Sequence, residues 1–111
     1  MMTFDETFRT MKKYFSKKNF RKFGDGVFSY EFDVTGDGAG RFYVEVRDGV
    51  LAIQPFDYRN SLCVFTISSD SLKRILSRSL SPVEAYATGR LAVRGDLSAA
   101  FRLADALGLD C

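Results

Sequence analysis

The fold of this chain is decided between residues 27 and 54, which read VFSYEFDVTGDGAGRFYVEVRDGVLAIQ. Apolar and polar side chains alternate along Val27–Thr35 and again along Arg41–Arg47, a period of two that is typical of half-buried β-strands. The glycine-rich turn Gly36–Gly40 separates the two runs, and Asp48-Gly49 is a dipeptide that joins antiparallel strands tightly. Val50–Gln54 then supplies a third strand, so this segment predicts three strands connected by hairpins.

A helical pattern precedes these three strands, and a fourth strand follows them. Residues 3 to about 18 predict an amphipathic helix, because Phe4, Phe8, Met11 and Phe15 recur at helical spacing behind a Thr3/Glu6 capping box. After the polar loop Pro55–Ser61, Leu62–Ser68 is a fourth strand too apolar to expose either face fully.

The remainder of the chain predicts three more helices and one more strand. A short helix begins near Ser69-Asp70, and a second follows the capping box Ser81–Glu84, which has proline at its first helical position. Leu91 and Val93 alternate with arginines as a fifth strand, and Asp96 caps a last helix.

The hairpin-length connections imply that the first four strands are largely antiparallel, whereas the fifth can enter the sheet anywhere, even parallel to a neighbour. The fold class is therefore α+β, with a mixed, mostly antiparallel five-stranded sheet.

Composition narrows the classes of function. With 111 residues and 46% apolar content, residues 1–111 are expected to form a single domain with a substantial core. The chain has no histidine, which excludes His-based triads and His-ligated metals, and its two cysteines have no metal-ligand spacing. No apolar run is long enough for a membrane span, and we expect a cytoplasmic protein without metal or cofactor.

Basic residues cluster at one end of the chain. Residues 1–24 contain seven basic and two acidic side chains, whereas residues 25–111 contain nine basic and twelve acidic ones. A solvated lysine face is the simplest interpretation, and transient contact of residues 3–22 with an anionic membrane surface is the next. Binding of nucleic acid is a third, through Lys12, Lys13, Lys17, Lys18, Arg21 and Lys22 with Tyr14 and Phe20. No recognisable nucleic-acid module is present, so no nucleic-acid partner is expected.

Four segments together resemble a known family. They are the hairpin Val34–Tyr43, the stretch Ser69-Asp70-Ser71-Leu72, the element Leu80–Tyr86 (LSPVEAY) and Gly89–Asp96 (GRLAVRGD) before an apolar helix. The chain resembles the sterol carrier protein type-two (SCP2-like) lipid-transfer family over residues 4 to 107. It departs from the family in having Ser79 where glycine is frequent and Phe42 where tryptophan is frequent.

The resemblance implies a sheet covered by helices on one face, with an apolar cavity of at least a few hundred Å³ between the layers. It implies non-enzymatic binding, and transfer, of a hydrophobic ligand such as a fatty acid, an acyl-CoA or a sterol-like lipid. The inward-facing set is rich in phenylalanine: Phe28, Phe32, Phe42, Phe65 and Phe101. The ligand-binding residues are predicted to be Phe65, Ile67, Leu72, Leu76, Phe101 and Leu103.

Three alternatives remain open. The same apolar residues would also suit a close-packed core without a site, or a protein-protein interaction module with a large exposed apolar patch. An enzyme would require a buried Asp33 or Glu45, and both alternate toward the polar face of the sheet. The polar loop Asp57–Asn60 is either solvated or gates the mouth of a cavity.

Overall fold

A computed structural model describes residues 3–55 and 60–109 of the chain. Phe56 and the predicted loop residues Asp57, Tyr58 and Arg59 lie outside these ranges. The described residues form helices α1 (Phe4–Ser16), α2 (Ser69–Leu76), α3 (Pro82–Ala87) and α4 (Leu97–Ala106) and a short 3-10 turn at Arg21–Phe23. The strands are β1 (Val27–Thr35), β2 (Gly40–Arg47), β3 (Val50–Gln54), β4 (Cys63–Ser68) and β5 (Leu91–Gly95).

The five strands form one mixed sheet in the order β3-β2-β1-β4-β5. Three of its pairings are antiparallel, but β1 and β4 pair in parallel, with Phe32 opposite Phe65. The sheet is mixed, as predicted, but the hairpin-type connection expected before the fourth strand is wrong, because β4 pairs in parallel with β1. The chain between Gln54 and Cys63 reaches about 30 Å when extended, which is enough to cross two strands and return along the strand direction.

The position of β4 follows from its composition. Its inward residues Cys63, Phe65 and Ile67 are buried, and its outward residues Val64 and Thr66 are half-buried. A strand that is apolar on both faces is better placed in the middle of a sheet than at its edge, and β4 lies between β1 and β5.

Local capping fixes where the helices begin. The Thr3 hydroxyl accepts a hydrogen bond from the backbone N–H of Glu6 at 3.2 Å, which confirms the predicted start of α1. Ser68, Ser81 and Asp96 cap α2, α3 and α4 in the same way. No helix within residues 3–55 and 60–109 is long and apolar enough to cross a membrane.

Gly95 ends β5 with φ +106° and the backbone of Leu62 directly beside it. A Cβ atom at this position would overlap the carbonyl oxygen of Leu62, so the close approach of the two segments requires glycine. This contact explains why glycine, and no larger residue, stands at position 95 directly before the cap of α4.

Candidate functional site

An apolar cavity of about 200 Å³ lies between the sheet and all four helices. It opens to the surface, and its volume is below the few hundred Å³ predicted from the sequence. Twenty described residues line it: Met11, Phe15, Phe32, Phe65, Ile67, Leu72, Ile75, Leu76, Pro82, Val83, Tyr86, Leu91, Val93, Leu97, Ala100, Phe101, Leu103, Ala104, Leu107 and Leu109.

The lining offers almost nothing to a polar ligand. Within the described part of the chain no lining side chain carries a charge, and the Tyr86 hydroxyl is the one polar side-chain group among them. Water needs two to four polar partners to stay in a cavity, so a lining of this kind favours hydrocarbon over water.

Aromatic rings form one wall of the cavity. The Phe32 ring lies 4.9 Å from Phe65 and 6.0 Å from Phe15, centroid to centroid, and all three side chains are buried. These strand and helix positions face the interior because β1, β4 and α1 each place their apolar side toward the other layer.

Phe42 is buried in the close-packed core and Phe28 is half-buried against that core, and neither residue lines the cavity. Phe42 stacks on Phe32 with centroids 4.8 Å apart and planes 2° from parallel, and Phe28 packs edge-on against Phe23 at 5.0 Å. The Arg102 guanidinium lies 5.1 Å from the centre of the Phe28 ring. The inward aromatic set is thus divided, and only Phe32, Phe65 and Phe101 face the cavity.

The mouth of the cavity is formed by exposed apolar side chains of α3 and α4. Val83 is 43% exposed, Tyr86 51%, Leu97 47% and Phe101 55%. Six large apolar side chains are exposed in the described part of the chain, and these four of them line this one cavity. We call them the rim.

Hydrogen bonds from the sheet hold α4 beside the cavity. The Tyr30 hydroxyl donates to the carbonyl oxygen of Ala99 at 2.8 Å, and the Cys63 thiol donates to the carbonyl oxygen of Asp96 at 2.8 Å. Burial raises the pKa of the Tyr30 hydroxyl and the pKa of the Cys63 thiol, so both groups remain protonated donors. Just after the C-terminal end of α4, the carbonyl oxygen of Gly108 accepts a hydrogen bond at 3.0 Å from Arg78, which follows α2.

All six residues predicted to bind a ligand line this cavity. Phe65, Ile67, Leu72 and Leu103 are buried, Leu76 is half-buried, and Phe101 lies at the exposed rim. The prediction missed Val83 and Tyr86, which share one face of α3 at a spacing of three. It also missed Met11 and Phe15, whose helical spacing indicated only that α1 packs on the sheet.

The carboxylates considered for an enzyme lie away from the cavity, on the opposite face of the sheet. Asp33 pairs with Arg41 at 3.4 Å and Glu45 with Arg47 at 3.3 Å, and neither acid lines the cavity. Residues 3–55 and 60–109 contain no cluster of three His, Cys, Asp or Glu side chains that could hold a metal ion.

The two aromatic rings considered for nucleic-acid binding, those of Tyr14 and Phe20, are partly or fully covered within the fold. Phe20 is buried, and the ammonium of Lys18 covers the Tyr14 ring at 4.9 Å from its centre. The exposed cations Lys12, Lys13 and Lys17 form a solvated face on and just after α1.

The sheet, the single layer of helices and the open apolar cavity define an α+β domain built around a hydrophobic site. The model of the SCP-2 sterol transfer family matches residues 8–108, and the chain belongs to that family. A comparison with curated proteins found no match.

Solved structures share the fold at low sequence identity. Sterol carrier protein-2 like-3 from Aedes aegypti is 10% identical with a TM-score of 0.62, covering 95% of this chain and 96% of its own. Palmitated SCP2L2 from Aedes aegypti is 20% identical with a TM-score of 0.55, covering 74% and 71%. The sec-alkylsulfatase Pisa1 from Pseudomonas sp. is 21% identical with a TM-score of 0.61, covering 77% of this chain and 13% of the sulfatase. This chain therefore corresponds to a small part of that enzyme's length.

Proposed function

We propose that this protein binds a hydrophobic small molecule in the cavity and transfers it, without catalysing a reaction on it. The observation that carries the proposal is a cavity in which no described lining side chain is charged and which opens through an exposed apolar rim. A close-packed core would leave no such space, and a catalytic site would need polar groups inside it.

Fatty acids, acyl-CoA and sterol-like lipids are the ligand classes that family membership suggests. One of the similar structures is of a palmitated protein, which supports an acyl chain as one ligand. We propose that Phe65, Ile67, Leu72, Leu76, Phe101 and Leu103 contact it.

We also propose transient contact with anionic membranes through residues 3–22. The exposed Lys12, Lys13 and Lys17 support this contact. Met11 and Phe15 are buried against the sheet, so α1 cannot insert this apolar stripe while the domain stays folded. The contact would therefore be mainly electrostatic. The free, buried thiol of Cys63 is compatible with a reducing compartment such as the cytoplasm.

Native mass spectrometry of protein purified without detergent tests the main proposal. Ala104→Phe should fill the cavity, because Ala104 lines it and is half-buried, whereas Ala87→Phe places the same ring at an exposed position outside it. We expect wild type and Ala87→Phe to carry or take up dodecanoic acid, and Ala104→Phe to lose it. Absence of binding by wild type would overturn the proposal.

A protein-protein interaction module is the second candidate, because the rim is an exposed apolar patch. It would be favoured if wild type binds no lipid. The continuity of the rim with an open cavity favours the lipid-binding function.

A further inference from the structure

The sheet has two edge strands, β3 and β5, and β3 is without charge. β3 (Val50–Gln54, VLAIQ) contains no charged residue and no proline, and its Val50 side chain is 69% exposed. The unpaired N–H and C=O groups of an edge strand are a template for another strand, and charges or proline commonly protect such an edge. β3 has neither form of protection.

The backbone groups that β3 offers to another strand are those of Leu51 and Ile53. The Asp48 N–H donates to the Gly26 carbonyl oxygen at 2.8 Å, on the side of β1. Because hydrogen-bonded and non-hydrogen-bonded pairs alternate along antiparallel strands, Arg47 forms a hydrogen-bonded pair with the first residue of β3, its register partner. The same alternation turns the N–H and C=O groups of Leu51 and Ile53 away from β2. Outside the strand ladder, no described segment of the chain forms a backbone hydrogen bond with them.

A second β3 strand fits this edge in one antiparallel register. Pro55 has no N–H, so the pairing ends at Gln54. With Ala52 on the two-fold axis, Leu51 of one copy lies opposite Ile53 of the second copy, and all their outward N–H and C=O groups gain partners. A register shifted by two residues pairs only one of these two residues with a residue of β3. The centred register is self-complementary, as a two-fold interface requires.

The side chains suit the same register. Ala52 meets Ala52 of the second copy in a non-hydrogen-bonded pair, where Cα atoms are about 4.5 Å apart and side chains are closest, and alanine is small enough for that position. Leu51, which is half-buried, lies beside Ile53 of the second copy on the helix-covered face, so both copies keep their helices on one side. Val50 lies opposite Gln54, and no like charges face each other.

The other edge strand is protected by arginine. Antiparallel pairing of β5 centred on Ala92 would place Arg90, directly before the strand, opposite Arg94 of the second copy. Like charges directly opposite each other destabilise a strand pair. The two edges therefore differ in their capacity for self-pairing, and β3 is the edge that permits it.

We propose that two copies of this chain associate through β3, which joins their five-stranded sheets into one continuous sheet. This inference goes beyond the proposed function and does not depend on it, because no residue of β3 lines the cavity. The contact is short, so the dimer is reversible and weaker than a protein-protein interface of standard size.

Sedimentation equilibrium of the full chain, from micromolar to millimolar concentration, tests the association. We expect a dimer that forms as the concentration rises. Ala52→Lys should raise its dissociation constant about tenfold or more, because two lysines then lie side by side at the two-fold axis. Ala92→Lys is the matched control, since Ala92 is the middle residue of the other edge strand and is exposed, and it should leave dimerisation unchanged. Circular dichroism checks that both variants fold.

Amide hydrogen exchange of the wild type, followed by NMR at low and high concentration, tests the register. The amides of Leu51 and Ile53 should exchange more slowly at high concentration, because the second strand covers them. The amide of Ala52 points toward β2 and should not change. Equal exchange of Leu51 and Ile53 at both concentrations would overturn the inference.

The remaining outcomes are also decisive. A monomer at every concentration would overturn the inference. Dimerisation lost in Ala92→Lys alone would assign the interface to β5, and dimerisation lost in neither variant would assign it to another surface, so both results would overturn it. Binding of dodecanoic acid should be the same in both variants, since neither position lines the cavity. Failure of wild type to bind that acid would overturn the proposed function and leave the dimer unaffected.

Discussion

The hydroxyl of Tyr30 on β1 donates a 2.8 Å hydrogen bond to the carbonyl oxygen of Ala99 in α4, 69 residues further along the chain. Tyr30 is fully buried, and its ring stacks on Phe65 with centroids 6.0 Å apart. This bond ties the helix that carries Leu97 and Phe101 to the middle of the sheet. It therefore fixes one side of the cavity mouth relative to the aromatic wall.

Tyr30→Phe should lower the free energy of unfolding by about 1 kcal/mol, because a buried hydrogen bond is lost with little change in shape. Chemical denaturation measures the effect. Tyr14→Phe is the matched control, since the Tyr14 hydroxyl is buried without a hydrogen-bond partner among the described residues. It should be neutral or stabilising, and a loss equal to that of Tyr30→Phe would contradict both assignments.

Phe101→Ala should cost less than about 2 kcal/mol, because its half-exposed ring has fewer packing contacts to lose than a core ring. Phe15→Ala removes a fully buried ring and should cost about 3 to 5 kcal/mol. Urea denaturation without ligand compares the two variants. If Phe101→Ala proves as costly as Phe15→Ala, Phe101 is part of the core and leaves the proposed site.

Gly95→Ala should destabilise the protein strongly, because the added Cβ overlaps the carbonyl oxygen of Leu62. Gly89→Ala has a similarly positive φ, +77°, but open space around the new atom. The stability lost by Gly89→Ala should therefore come from backbone strain alone and be of order 1 kcal/mol. Thermal denaturation of both variants measures the difference. Equal midpoint temperatures would show that the overlap with Leu62 adds nothing to the loss of stability.

Reversal of Lys12, Lys13 and Lys17 to glutamate should abolish sedimentation with phosphatidylserine vesicles, because each cation near an anionic surface contributes about 1 kcal/mol. Reversal of the exposed Lys73, Arg90 and Arg94 makes the same change in net charge elsewhere and should have a smaller effect. Equal sedimentation of wild type and the lysine variant would remove residues 3–22 from the proposed membrane contact.

The cap of α4 should make stability depend on pH in the acid range. The Ser98 hydroxyl and backbone N–H groups donate to Asp96, which holds the pKa of that carboxyl below its ordinary value of 3.8. A lowered native pKa means that the ionised form favours folding. The stabilisation from the ionised Asp96 carboxylate is therefore complete above the ordinary pKa, and it is lost as the pH falls through the lowered pKa of the folded state.

Asp96→Asn retains a capping side chain that does not titrate. The difference in free energy of unfolding between wild type and this variant should stay constant above about pH 5 and change in favour of the variant below the ordinary carboxyl pKa. Parallel denaturation curves from pH 2.5 to pH 6 measure it. A difference independent of pH would show that the ionised carboxylate is not what caps the helix.

Local patterns were sufficient to predict most elements of the fold. The alternation in β1 and β2, the Asp48-Gly49 turn and the caps Thr3, Ser81 and Asp96 act over a few residues, and the structure confirms each of them. The parallel pairing of β4 with β1 was not predictable from connection length, because a segment of this size can close a hairpin or cross the sheet.

The sequence by itself determined which side chains of β1, β2 and the helices face inward, since the period of each of these elements allows only one apolar face. Only the tertiary structure decided what each inward residue meets. Phe42 and Phe65 alternate in the same way, yet Phe42 is packed under Phe8 and Phe32 while Phe65 borders open space. The hydrophobic pattern indicates only that a side chain is removed from water. A side chain is removed from water both in a filled core and in an apolar cavity, so the pattern does not distinguish them. The distinction depends on how far α3 and α4 stand from the sheet, and contacts such as that between Tyr30 and Ala99, distant in sequence, set that distance.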